Sequence, residues 1–155
     1  MRTYDVTIIG GCGHVGLPLG IALADTGLRV ALYDLNQAAV DTVNAASLPH
    51  DEPGAAAVLE RVLADGRLAA TTDRTVVARS RIVIVVVGTP IDQHLNPDVE
   101  AVPRAIAAIA DQLRDGQLLV LRSTVYPGVT AMVEKVVERR GGGIVRARLG
   151  DDDRQ

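Results

Sequence analysis

Apolar and polar positions follow two rhythms along the chain. Short apolar runs at residues 4–9, 29–33, 68–71, 82–87 and 118–121 read as strands. Longer stretches with apolar residues three and four apart read as helices over 14–26, 37–45, 55–64, 73–78, 99–113 and 129–140. The run 82–87, I-V-I-V-V-V, has the look of a central parallel strand buried on both faces, and 68–71 that of an edge strand. Residues 144–147 form a candidate sixth strand, and 148–155, with three consecutive acids, a solvated and disordered tail. Alternating strands and helices predict an α/β domain over residues 1–147: a doubly wound parallel sheet with right-handed crossovers.

Composition supports this sheet. Hydrophobic residues make up 48% of the 155, with no Phe or Trp, so Val, Ile, Leu and Ala must fill the core beside Tyr4, Tyr33 and Tyr126. A net charge of −3 with interspersed signs, and no aromatic platform, argue against nucleic-acid binding. The longest apolar run outside the first 24 residues falls far short of the roughly 20 residues needed to cross a membrane. The single cysteine, Cys12, forms no internal disulfide and suits a reducing, cytoplasmic setting. His14, His50 and His94 lack the spacing of metal ligands, so no metal site is expected.

The chemistry starts where the first strand breaks. Gly11, Gly13 and Gly16 spell G-x-G-x-x-G between a β-branched run and an apolar helix. In that pattern Gly11 makes the tight turn, Gly13 lets the backbone approach a pyrophosphate, and Gly16 lets helix and strand pack closely. Free N–H groups around His14 and Val15, at the positive end of the helix, then hold the anion. Asp34 follows the second strand, roughly 20 residues past the glycines, where a carboxylate accepts the ribose hydroxyls. With no arginine directly after it, NAD is favoured over NADP. Together these features predict a Rossmann-like dinucleotide domain. Thr89 and Pro90 end the fourth strand and Ser123 and Thr124 the fifth, so all four fall on the cofactor side of the sheet. The structural alternatives are that Asp34 starts a turn with Asn36, that Ser123 and Thr124 satisfy backbone groups, and that Glu52-Pro53-Gly54 starts a helix.

Four stretches in order carry a resemblance to a known family: G-C-G-H-V-G-L-P-L (11–19), P-H-D-E-P-G (49–54), V-G-T-P (87–90) with N-P-D (96–98), and R-S-T-V-Y-P-G-V-T (122–130). They resemble the N-terminal NAD-binding domain of the UDP-glucose and GDP-mannose dehydrogenases, which oxidise nucleotide sugars to uronic acids. The resemblance implies a four-electron oxidation of a sugar C6 alcohol with two NAD molecules in turn. It implies that Thr89 and Pro90 line the nicotinamide side, and that Thr124 is a catalytic threonine positioning the reacting groups and a water.

Departures from the family carry equal weight. Its nucleophilic cysteine, lysine and asparagine belong to a later domain, beyond a dimerising helical region. Cys12 lies in the phosphate turn and the sole lysine, Lys135, on the last predicted helix, so neither fills those roles. Gly10 adds a further glycine to the turn, and Ala39 stands where many relatives carry a basic residue. The expectation is therefore a cofactor domain truncated before the dimerisation and substrate domains, meeting its nucleotide-sugar substrate through them, with the oligomeric state open. The competing reading is a module that senses NAD or NADH without catalysis.

Overall fold

The computed structural model describes residues 3–88, 90–91 and 93–141. Five strands, β1 (Tyr4–Ile9), β2 (Val30–Tyr33), β3 (Leu68–Thr71), β4 (Ser80–Val85) and β5 (Leu118–Leu121), form one parallel sheet in the order β3-β2-β1-β4-β5. The order reverses between β1 and β4. In open parallel sheets this reversal opens a crevice beyond the strands' carboxyl ends.

The β-branched runs become strands because both their faces find cover. On one face Val6, Ile8, Val30 and Leu32 pack under α1 (Gly16–Asp25), α2 (Gln37–Asn44) and α3 (Ala55–Ala64), through Leu17, Ile21, Val40, Val43, Leu59 and Val62. On the other, Ile9, Ala31, Val83 and Val85 meet α4 (Ala101–Ile109) and α5 (Val129–Glu138) through Val102, Ile106, Ile109, Val129 and Val133. Each such aliphatic side chain contributes about 1.5–3 kcal/mol by leaving water. The doubly wound expectation is met.

Edge strand β3 is closed by a side chain. Asn44 at the end of α2 donates from Nδ2 to the Ala70 carbonyl (2.8 Å) and accepts at Oδ1 from the Ala70 N–H (3.0 Å). Its amide thus occupies both outward-facing groups of that residue, a guard against pairing with a foreign strand.

Several boundaries differ from expectation. The strand placed at 82–87 starts two residues earlier and ends at Val85. Its first residue, Ser80, is buried against β1: the Thr7 and Ser80 hydroxyls are hydrogen-bonded, and Ser80 donates to the Val76 carbonyl (2.8 Å). On this strand Val83 and Val85 are fully buried, whereas Ile82 and Ile84 are only half-buried, because α1–α3 centre on β1–β3 and leave β4 partly covered. The short helix placed at 73–78 is a 3₁₀ segment over Arg74–Arg79, and the long one at 99–113 is α4 followed by a 3₁₀ turn, Ala110–Gln112. Glu52-Pro53-Gly54 does start α3: Gly54 is left-handed (φ +78°) and the Ala55 N–H donates to the Glu52 carbonyl (3.1 Å). The candidate strand 144–147 and the tail 148–155 lie outside the described residues.

Candidate functional site

The glycine turn is built by β1 and β2 together. Beyond Ile9, the amides of Gly10 and Gly11 both donate to the Tyr33 carbonyl (2.9 and 3.0 Å), continuing the ladder past the strand end. Gly10 then turns the chain with φ +77°, so the left-handed residue is Gly10 and not Gly11, where the sequence reading put the tight turn. Gly11 has another constraint: a Cβ there would lie 2.7 Å from the Leu32 Cα. At Gly16 a Cβ would lie 2.3 Å from the Gly10 carbonyl oxygen, so close packing of helix on turn requires glycine.

Gly13 differs from both. A Cβ on it would meet only the Gly10 carbonyl oxygen, at 3.5 Å, so the protein itself leaves that side open. The helix expected from residue 14 begins at Gly16, with Val15 as its cap residue and no side-chain cap. Among the described residues no carbonyl accepts from the amides of His14, Val15 or Gly16. An open glycine beside three unpaired amides at a helix start is a cradle suited to phosphate oxygens.

Asp34 is tied to this cradle. Its Oδ2 accepts from the Cys12 N–H (3.0 Å) and its Oδ1 from the Asn36 N–H (3.0 Å). Both the turn expected with Asn36 and the proximity to the glycine loop are thus present at one carboxylate. Each oxygen keeps lone-pair capacity for a further donor, such as a hydroxyl. Cys12 is buried, and burial, then the charge of Asp34, pushes its thiol up to about 12.

A cleft of about 530 Å³ opens between the ends of β1, β2 and β4 and the side of α4. Gly13, Asp34, Val87 and Pro90 line it, joined by residues that no motif points to: Leu35, Val86 and a stripe of α4 carrying Arg104. Those α4 residues recur at positions 101, 104, 105 and 108, a stripe flanking the buried Val102, Ile106 and Ile109. That flanking helical stripe was the available signal. Asp98 accepts from the Glu100 N–H (3.1 Å) and binds the Arg104 guanidinium, whose hydrogen bond holds the Asp98 carboxyl below its usual range.

Other expected site residues lie elsewhere on the same edge of the sheet. Gly11 and Gly16 are buried beneath the turn. His14 is exposed and stacks on His50 from the α2–α3 connection, with ring centroids 3.6 Å apart; Val15 is also exposed. Ser123 donates from both its amide (3.1 Å) and its hydroxyl (3.3 Å) to the Val85 carbonyl, the backbone-satisfying role weighed above. Thr124 follows it, exposed, beyond the end of β5. Neither belongs to the lining of the cleft, and Thr89 lies outside the described residues. Among the described residues no group of three His, Cys, Asp or Glu side chains could hold a metal ion, and no helix is long and apolar enough to cross a membrane.

The residues present fit a dinucleotide: a cradle for phosphates, a carboxylate for a ribose and an apolar slot beyond it. Comparison with known proteins agrees. Residues 4–148 match the model of the UDP-glucose/GDP-mannose dehydrogenase family, NAD binding domain. The chain is 30% identical over 134 residues to UDP-glucose 6-dehydrogenase TuaD of Bacillus subtilis (strain 168), covering 86% of this chain and 29% of that protein. It is 34% identical over 141 residues to UDP-N-acetyl-D-mannosamine dehydrogenase of Escherichia coli (strain K12), covering 90% and 33%. Among solved structures, GDP-mannose dehydrogenase from Pseudomonas aeruginosa superimposes with a TM-score of 0.82 at 30% identity, over 92% of this chain and 33% of that one. The chain thus spans about a third of the length of these relatives.

Proposed function

Since the chain belongs to the UDP-glucose/GDP-mannose dehydrogenase family as an NAD-binding domain, we propose that it serves as the cofactor half of a nucleotide-sugar 6-dehydrogenase. The reaction in this reading oxidises the C6 alcohol of a UDP- or GDP-sugar to the carboxylate, an oxidoreductase step on a CH–OH donor within polysaccharide biosynthesis. NAD supplies the hydride acceptor when bound. The open Gly13 and the amides of His14, Val15 and Gly16 take the pyrophosphate. Asp34 accepts the ribose hydroxyls and disfavours a 2′-phosphate by like charge.

Thr89, Pro90, Ser123 and Thr124 serve the nicotinamide end, with Thr124 the positioning hydroxyl for the reacting groups. The nucleotide sugar is bound mostly by parts of the relatives that this chain does not match. Cys12 has no role as nucleophile: it is buried, its thiol is held protonated, and its amide faces Asp34. A cytoplasmic location belongs to the same reading.

The observation that carries the proposal is the bond from the Cys12 amide to Asp34, which joins ribose acceptor and phosphate cradle in one unit. Calorimetric titration of the chain with NAD, NADH and NADPH tests it. Saturable binding of the first two with NADPH much weaker is the expected result; a folded chain that binds none of them overturns it.

A further inference from the structure

Beyond Asp34 the cleft becomes a slot with two apolar walls. One is Leu35, 81% exposed with no packing role to account for it, together with Val86 and Val87 at the end of β4. The other is α4, which lines the cleft through Ala101, Ala105 and Ala108 with Arg104 among them. A slot of methyl and isopropyl groups is suited to a flat heteroaromatic ring and poorly suited to a sugar or a phosphate. With a ribose on Asp34 and its phosphates on the glycine turn, the base attached to that ribose is what remains to fill the slot.

Among the described residues that line the cleft Arg104 is the one cation, and α2, Q-A-A-V-D-T-V-N, carries none. Its guanidinium is hydrogen-bonded to Asp98 and lies 3.7 Å from the Glu100 carboxylate. Asp98 is itself anchored: its N–H donates to the Pro90 carbonyl (2.9 Å) and its side chain accepts from the Glu100 amide. Two carboxylates at the guanidinium's edge offset its charge, which leaves it a weak phosphate ligand. Its planar faces stay available, and the side chain is 60% exposed. Guanidinium planes stack well on aromatic rings.

We infer that Arg104 is the adenine-recognising residue of this domain: its guanidinium, held at one edge by Asp98, packs face to face on the purine. Asp98 is the positioning residue for this contact. The inference rests on the NAD reading above.

Titration of the full chain with NAD, 5′-AMP and nicotinamide mononucleotide separates the two ends of the cofactor. Arg104→Ala is expected to weaken NAD and 5′-AMP by about tenfold, within the range of exposed to desolvated cation–π contacts, and to leave nicotinamide mononucleotide unchanged. Arg104→Lys, which keeps the charge and loses the plane, is expected to fail to restore 5′-AMP binding. Asp98→Asn is expected to weaken 5′-AMP by a smaller factor, again without effect on the mononucleotide. Thermal melting of each variant verifies the fold. Unchanged 5′-AMP binding in Arg104→Ala, or full rescue by Arg104→Lys, overturns this inference while the NAD reading stands. A folded wild-type chain that binds neither NAD nor 5′-AMP removes both.

Discussion

The backbone amide of Cys12 donates to Oδ2 of Asp34 at 3.0 Å, across 22 residues of sequence. A carboxylate at the end of β2 is thereby held against the turn at the end of β1, and neither can shift without the other. Pre-organisation of this kind lowers the ordering cost of binding. Asp34→Asn retains an oxygen that can accept from Cys12, so the turn is expected to persist. With the charge gone, NAD affinity should fall by about tenfold, the scale of one charge-assisted hydrogen bond. The gap between NADH and NADPH should narrow in the same titration. An NADPH affinity that stays far lower would show that another group enforces the preference.

The glycines make opposite predictions. At Gly13 an added Cβ meets nothing beyond its chain neighbours closer than the Gly10 carbonyl oxygen at 3.5 Å, so Gly13→Val should keep the melting temperature close to wild type. The valine would occupy the path of the pyrophosphate, and NAD affinity should drop by about a hundredfold, roughly 3 kcal/mol. At Gly16 the added Cβ would stand 2.3 Å from the Gly10 carbonyl oxygen, a backbone atom that cannot move alone. Gly16→Ala should therefore cost about 1–3 kcal/mol of stability in a denaturant titration. Equal stability of the two variants would contradict the division of roles.

The sheet was legible because β-branched runs and turn residues punctuate the chain clearly: β1, β3, β5 and α3 begin and end where the pattern places them. The start of β4 was not. Ser80 and Arg81 look like loop residues, and the Ser80 hydroxyl's bonds to Thr7, 73 positions away, and to the Val76 carbonyl make a polar residue acceptable in that strand. Gly10 stands outside the G-x-G-x-x-G spacing yet carries the positive φ, because the motif specifies spacing and says nothing of which peptide turns over. The α4 wall was missed for a different reason. Alanines carry almost no hydropathy contrast, so the stripe containing Ala105 and Ala108 is visible only as the flank of the buried one.

Cys12 offers a test by pH. Its thiol is raised from 9.0 to about 12 by burial first and the Asp34 charge second. Below pH 9 it is protonated in both folded and unfolded chains and has no effect on their balance. Between 9 and 12 the unfolded thiol ionises and the folded one does not, so stability falls as pH rises. The slope attributable to this group is up to about 1.4 kcal/mol per pH unit. Subtracting the profile of Cys12→Ala from that of wild type isolates it, since every other group is common to the two proteins. At pH 8 iodoacetamide should label the folded chain far more slowly than the urea-unfolded one; equal rates would place the thiol in solvent.

Asn44 gives the last prediction, on the exposed edge of β3. Its side-chain amide makes two hydrogen bonds to Ala70, one in each direction, at 2.8 and 3.0 Å. Asn44→Ala frees an N–H and a carbonyl on a strand whose one sheet partner among the described residues is β2. The loss should be about 1–3 kcal/mol, two ordinary hydrogen bonds in a partly buried setting. Asn44→Asp should recover part of it, since the carboxylate still accepts from the Ala70 amide while leaving the carbonyl unpaired. Freed edge groups are also a template for intermolecular pairing, so Asn44→Ala should self-associate at concentrations where the wild type does not. Urea titration reads the first effect and light scattering the second. A variant as stable as wild type, with no added association, would show that solvent replaces Asn44 at this edge without penalty.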